Sequence, residues 1–403
     1  MTIARWLTLI GIGEDGLDGL SSAAKTLLAQ AELVVGGARH LALAGPLACD
    51  TLLWPSPPGD AFPIIAARRG QPVVVLATGD PFFYGIGSLL ADEFLVGEMA
   101  CLPGTSAFSL AAARLGWALQ DCTTLSLHGR DLALVVPHLQ PGARILALSW
   151  DGTTPGKLAQ ALTARGMGLA RIIVMQAMGG PRERLVSLAA QAWQGETYDP
   201  LNLVALEVLD QPGARFLPLA GGIADEWFEH DGQITKREVR AMTLSALAPL
   251  RGQLLWDIGA GSGSIGIEWM LRDPKNRAIA IEPRADRAAR IARNAMALGV
   301  PGLQIVQGEA PGALADLAMP DAIFLGGGAP DEGVMAAAWK ALRSGGRLVA
   351  NAVTLETQTV LMQGFRAHGG DLIQVHLSRA DPVGPYFGWR PTMPMMQWSV
   401  VKP

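Results

Sequence analysis

Residues 254–283 read LLWDIGAGSGSIGIEWMLRDPKNRAIAIEP. Residues 254–258 are apolar apart from Asp257 and predict a buried strand. Gly259, Gly261 and Gly263 crowd the turn that follows, where the missing Cβ lets backbone approach a ligand closely. Ser264 is placed to cap a helix starting near Ile265. Residues 278–281 predict the next strand. Glu282 at its carboxyl end is placed to accept both hydroxyls of a ribose.

The spacing bears on which cofactor is held. A dinucleotide fingerprint runs G-x-G-x-x-G, and here position 264 is serine. The run DIGAGSG with the distal acid resembles motif I and the acidic loop of class I S-adenosylmethionine (SAM) methyltransferases. The resemblance implies that Asp257, Gly259, Ala260, Gly261, Ser262 and Gly263 form the turn facing the methionine moiety, and that Glu282 binds the ribose. It places Thr235, in ITKREVR, over the cofactor and Glu309 with Ala310 at the adenine edge. Gly326, Gly327, Gly328 and Asn351 would end strands at the substrate mouth. Thr235 and Glu238 also spell a capping box, so a helix cap is a second expectation for Thr235. Family enzymes that methylate a nucleobase amine carry (D/N)-P-P-(Y/F) after the fourth strand. Leu325-Gly326-Gly327-Gly328 stands there instead, a shelf suited to a large planar substrate.

Composition narrows the class. The chain has 403 residues, enough for two or three domains. Half of them are hydrophobic, so ample core can be buried. The formal charge is −4 and no long Lys/Arg run is present, which tells against a nucleic-acid partner. No apolar run reaches membrane-spanning length, and the short apolar stretch after Arg5 reads as a first strand rather than a secretion signal. Cys49, Cys101 and Cys122 form no CxxC pair and no metal spacing, so no metal site is expected and a reduced cytoplasm is.

Regular alternation of strand and helix predicts an α/β protein with much parallel sheet. Strands are expected at 6–12, 33–35, 72–77, 144–149, 171–175 and 202–209, with a short one before Pro103. The pattern lapses over 211–231, read as a linker between domains 1–210 and 232–403. The second domain supplies LLWDIG, AIAIE, LQIVQG, AIFLGG, RLVANA and two late strands near LIQVHL and MQWSVV, a seven-strand Rossmann-like sheet.

In the first domain, residues 11–16 spell GIGEDG after a strand, which taken alone suggests a NAD-dependent oxidoreductase. The confirming acid is absent, because Glu32 precedes its strand. GIGEDGLDGLS, ATGDPFFYGIG, LPGTSAFSLAAARLG and SLHGRD, in this order, instead resemble the tetrapyrrole methylase family (class III SAM methyltransferases). That implies a two-lobed α/β fold with SAM in its cleft. Gly11, Gly13, Gly79, Asp80 and Pro81 would line the cofactor loops, Thr105 and Ser106 would contact it, and Met178 and Ala205 would cover the adenine. An N-cap is the plainer role for Asp80, and His128 is the best placed histidine.

The two halves together resemble the fused precorrin-6Y C(5,15)-methyltransferase (decarboxylating) family of cobalamin biosynthesis. This implies two SAM sites per chain, a small-molecule tetrapyrrole substrate, C-5 methylation by the first half, and C-15 methylation with acetate decarboxylation by the second. Homo-oligomers are expected by analogy. Such substrates are rich in carboxylates, which a guanidinium grips in bidentate fashion. Lys236, Arg237, Arg379 and Arg390, the last in a loop rich in aromatics, are the candidates. The sequence points to no general acid or base.

Overall fold

The computed structural model describes residues 5–327, 329 and 331–403. The chain divides into two compact units, one of residues 1–132 with 140–215 and one of 133–139 with 216–403.

The first unit holds two sheets. β1 (Leu7–Ile12), β2 (Leu33–Gly36), β3 (Asp50–Leu53), β4 (Val73–Thr78) and β5 (Met99–Leu102) pair in the order β3-β2-β4-β1-β5. Every pairing is parallel. Alternate residues of β1 and β4 feed two apolar layers. Leu7, Leu9, Val73 and Val75 pack with Trp6 and Phe94 on one face. Ile10, Ile12, Val74 and Leu76 pack with Leu20 and Leu28 on the other. A strand covered on both faces reads as a continuous apolar run, which is why β1 and β4 are plain in the sequence.

The second sheet departs from the parallel expectation. β6 (Cys122–Ser126), β7 (Arg144–Leu148), β8 (Arg171–Gln176), β9 (Arg184–Ala189) and β10 (Asn202–Glu207) run in the order β6-β7-β10-β8-β9. Only β6 and β7 are parallel; β10 is antiparallel to both β7 and β8, and β9 to β8. The link from β8 to β9 is too short to carry a crossover helix, so that pair must be antiparallel.

The second unit is a single seven-stranded sheet with one inserted hairpin. β11 (Leu254–Ile258), β12 (Arg277–Glu282), β13 (Gln304–Gln307), β14 (Ala322–Leu325), β15 (Arg347–Ala352), β16 (Asp371–Val375) and β19 (Met395–Val401) pair as β13-β12-β11-β14-β15-β19-β16. β19 is antiparallel to both neighbours. β17 (Ser378–Val383) and β18 (Tyr386–Pro391) form the separate hairpin. Strand order reverses between β11 and β14, and a crevice opens outside the carboxyl ends there. The stretch expected to be an aromatic loop is thus β18.

Residues 216–231 are held by buried charge. Arg240 is fully buried and donates to Glu268 at 2.5 Å and to Asp225 at 3.2 Å. Glu268, also fully buried, accepts the N–H groups of Gly222 (2.7 Å) and Ile223 (3.0 Å). Arg240 also donates to the carbonyls of Ile223 and Thr235. Ile223 and Phe228 are buried alongside.

Candidate active site

The crevice of the second unit contains a cavity of about 730 Å³. The turns after β11 and β14 and the end of β12 are among the segments that frame it. The turn after β11 has Gly259, Gly261 and Gly263 at φ of 72°, 60° and 75°, a left-handed region that a side chain strains. A Cβ on Gly259 would lie 2.9 Å from the Gly327 nitrogen, so the turn after β14 packs backbone against backbone. Glu282, at the end of β12, lines the cavity although only 2% of it is exposed. Its carboxylate accepts from Gly261 N–H at 2.8 Å and Arg284 N–H at 3.2 Å. This geometry fits SAM: a cradle that a Cβ would fill beside an acid at the strand end.

Most expected residues of this half meet around the cavity. Thr235, Lys236, Gly259, Ala260 and Gly261 line it, as do Glu282, Glu309 and Ala310. Gly326, Gly327, Asn351 and Arg379 complete the set. Asp257, Ser262, Gly263, Arg237 and Arg390 do not line it; Gly328 lies outside the described residues. Asp257 sits beneath the turn, 1% exposed. One of its carboxylate oxygens accepts Gly266 N–H at 2.9 Å and the other is unpartnered. Burial, opposed by that hydrogen bond and aided by the charge of Glu282, pushes its pKa up to about 7. Arg390 is exposed on β18, opposite Arg379, and pairs with Asp381 at 2.8 Å.

Two expected caps are not formed. The helix Arg237–Leu247 has Lys236 at its N-cap, so Thr235 leaves its side chain free of that task. The helix Ser264–Met270 is preceded by left-handed Gly263, and Ser264 is already helical. Sequence reading gave Glu238 only a capping role and missed Arg287; both line the cavity. Glu238 pairs with Arg379 at 2.6 Å. Arg287 and Arg290 flank Asp231 and hold its carboxyl well below the usual range. Neither pairing has a short-range signature.

In the first unit the turns after β1, β4 and β5 converge. Gly104 N–H donates to the Gly79 carbonyl at 3.0 Å. A Cβ on Gly11 would fall 1.8 Å from the Gly79 oxygen and 2.2 Å from the Gly104 nitrogen. Gly79 is left-handed, and its Cβ would strike Thr105. Asp80 accepts Phe82 N–H at 2.9 Å and shapes the loop; the next helix, Gly87–Glu93, is capped at Ile86, so Asp80 is no N-cap. Gly13 and Pro81 stand in these same turns. Ser106 caps the helix Ala107–Leu115 through Ser109 N–H, while Thr105 is exposed. Met178 and Ala205 are packed into the apolar cluster of the second sheet with Phe108 and Leu203, Ala205 fully buried. His128 is exposed.

Beside these turns lies a polar cluster absent from the sequence reading. Glu14 pairs with Arg39 and with Arg182. Thr78 Oγ1 accepts from Arg39 at 2.5 Å and lies 2.8 Å from His40 Nε2. Burial, with Arg39 alongside, pushes the His40 pKa down to about 4. The GIGEDG turn does not build a dinucleotide site. Residues Gly16–Gly19 form one 3₁₀ turn, and the helix begins only at Ser22, so no helix N-terminus faces the glycines.

Two family models match the chain: tetrapyrrole (corrin/porphyrin) methylases over residues 6–192 and the precorrin methyltransferase domain over 226–402. A precorrin-6Y C(5,15)-methyltransferase [decarboxylating] of a Sinorhizobium species is 56% identical over 401 residues, covering 99% of this chain and 97% of the relative. A protein of the same name from Mycobacterium tuberculosis is 39% identical over 402 residues, covering 98% of this chain and all of the relative. A cobalt-precorrin-7 C(5)-methyltransferase of Salmonella typhimurium is 31% identical over 205 residues, 51% of this chain and 99% of its own length. The oxidoreductase reading has no support among these relatives. Matched in both halves and along nearly its whole length, the chain belongs to the precorrin-6Y C(5,15)-methyltransferase (decarboxylating) family.

Proposed function

We propose that this chain methylates precorrin-6Y at C-5 and C-15 and removes the ring C acetate carboxyl to give precorrin-8X. The observation that carries the reading is the full-length match to decarboxylating C(5,15)-methyltransferases. Family enzymes use SAM, which when bound supplies an electrophilic methyl group. Two SAM sites per chain, one at each set of glycine turns, are part of the proposal. So is the division of labour: residues 1–210 act at C-5, and residues 232–403, beyond a 211–231 linker, act at C-15 and decarboxylate.

The residues have modest chemistry to do. A ring carbon conjugated with pyrrole nitrogen is already nucleophilic, so alignment and exclusion of water are the main tasks. Gly259 and Gly261 keep the cradle open, and Glu282 orients the nucleoside. Lys236 and Arg379 sit on the cavity and meet substrate carboxylates; Arg379 first has to leave Glu238. Asp80 shapes the corresponding loop of the first unit. When the C–C bond to the carboxylate breaks, its electron pair passes into the conjugated macrocycle and carbon dioxide leaves. The remaining methylene carbon then takes up one proton to become a methyl group, so no general base is required for this step.

The protein is proposed to work in the cytoplasm as a homo-oligomer without nucleic-acid or membrane partners. No helix among the described residues is long and apolar enough to cross a membrane. Incubation with SAM and precorrin-6Y, followed by mass spectrometry of the macrocycle, tests the central reading. Gain of two methyl groups and loss of one carboxyl is expected. Loss of the carboxyl must persist in a chain whose first site is disabled by Asp80→Ala, or the division of labour is wrong.

A further inference from the structure

Asn351 lines the cavity of the second unit, and two buried polar side chains stand against it. Gln397 lies directly across from it in the β15–β19 pairing and is 3% exposed. Thr243, on the helix Arg237–Leu247, is fully buried. The three are mutually hydrogen bonded. Thr243 Oγ1 is 2.8 Å from the Val239 carbonyl, 2.8 Å from Asn351 Nδ2 and 3.2 Å from Gln397 Nε2. Gln397 Nε2 is 2.9 Å from Asn351 Oδ1.

Counting protons leaves one arrangement. A carbonyl can only accept, so the Thr243 hydroxyl must spend its single proton on Val239. Its oxygen is then purely an acceptor toward both amides. Each amide must therefore turn its nitrogen to Thr243. That sets Asn351 with Nδ2 toward Thr243 and Oδ1 toward Gln397, and the Gln397 nitrogen serves both partners. Asn351 retains one N–H and one oxygen lone pair for other use. Without such a lock an amide can turn over and exchange donor for acceptor. Leu348, Ala350, Ala352 and Trp398 are buried apolar neighbours along the same two strands. Burying the Thr243 hydroxyl and the Gln397 amide among them is costly unless both are paired, and apolar side chains would fill their space at less cost. Packing alone is a poor reason for this cluster.

We propose that Thr243 and Gln397 are positioning residues that lock the Asn351 amide in one orientation, so that it offers the macrocycle a fixed N–H donor and a fixed acceptor. The wrong orientation would set an oxygen against a substrate carboxylate. This deepens the reading of the second unit as the site of C-15 methylation and decarboxylation, and rests on it.

The test uses the full chain with SAM and precorrin-6Y. Thr243→Val keeps shape but removes the shared acceptor; Thr243→Ser keeps the acceptor. For Val, kcat/KM of decarboxylation is expected to fall about tenfold, the size of one lost hydrogen bond. SAM affinity and C-5 methylation stay unchanged, and Ser restores the rate. If Val matches the parent chain while Asn351→Ala is impaired, the lock is refuted and the role of Asn351 stands. If Asn351→Ala also matches the parent chain, Asn351 does not touch substrate and the proposal falls with it. A parallel loss of SAM affinity with Val would make the cluster merely structural and overturn the proposal. Should Val fail to unfold cooperatively, Gln397→Met, which removes the other partner, is judged by the same outcomes.

Discussion

Replacing Glu282 by glutamine isolates the proposed nucleoside contact with almost no change in volume. The carboxylate accepts two backbone N–H groups, from Gly261 at 2.8 Å and Arg284 at 3.2 Å. It is 2% exposed, so little water competes for it. A glutamine has one acceptor oxygen and must turn its NH₂ toward one of those N–H groups or toward the ribose. The two charge-assisted hydrogen bonds proposed from the ribose hydroxyls to this carboxylate, which form only in the bound state, are therefore lost in the variant. At the lower end of about 1.5–3 kcal/mol each, this is about 3 kcal/mol. At about 1.4 kcal/mol per tenfold, affinity for the second site falls about 100-fold. Titration calorimetry with S-adenosylhomocysteine reads this directly. The parent chain should titrate with two sites, and the variant with one unchanged site and one too weak to register. Retention of both sites at parental affinity would refute the ribose assignment, and a parent chain with a single site would refute the two-donor reading.

Gly11→Ala should abolish C-5 methylation and leave decarboxylation, because its Cβ would lie 1.8 Å from the Gly79 oxygen, where only backbone could yield; product mass spectrometry separates the two activities. Arg240→Met strands the buried carboxylate of Glu268 and should destabilise the second unit by about 3–5 kcal/mol, read as faster hydrogen exchange across residues 216–247. Asp257, with its pKa raised from 3.8 to about 7, binds its proton more tightly folded than unfolded. Its contribution to stability is whole below about pH 4 and is lost as pH rises through about 7. Asp257→Asn should flatten that part of the pH–stability profile, measured by thermal unfolding at several pH values.

The parts of the fold legible in the sequence were those with a local cause. β1, β4, β11 and β12 are buried on both faces; the apolar runs of the first three stop at glycine turns, and that of β12 stops at Glu282-Pro283. β3 and β9 are largely exposed edge strands with no alternation to mark them, and β6 is only half-buried. They become strands because a neighbour offers hydrogen bonds, which no short window records. The hairpin β17–β18 was hidden by its two prolines and exposed aromatics. The site divides the same way. Glycines and Glu282 announce themselves through spacing. Helix docking brings Thr243 to Asn351 and Gln397 across more than a hundred residues, sheet pairing joins the latter two, and Arg182, one of the partners of Glu14, is equally remote.

The hairpin β17–β18 is spliced between two strands that would pair without it. Its base and its tip consequently answer to different demands. At the base, Leu377, Arg379, Thr392 and Met393 form part of the cavity wall, and Thr392 closes onto Leu377 at 2.8 Å. Toward the tip, Tyr386 and Phe387 are each about three-quarters exposed, as is Trp389 midway along the hairpin. The module is thus a natural grafting point. Its outer half can be shortened, exchanged or fused to a foreign peptide while the sheet closes as before, whereas a change of a single residue at its root reshapes the chamber.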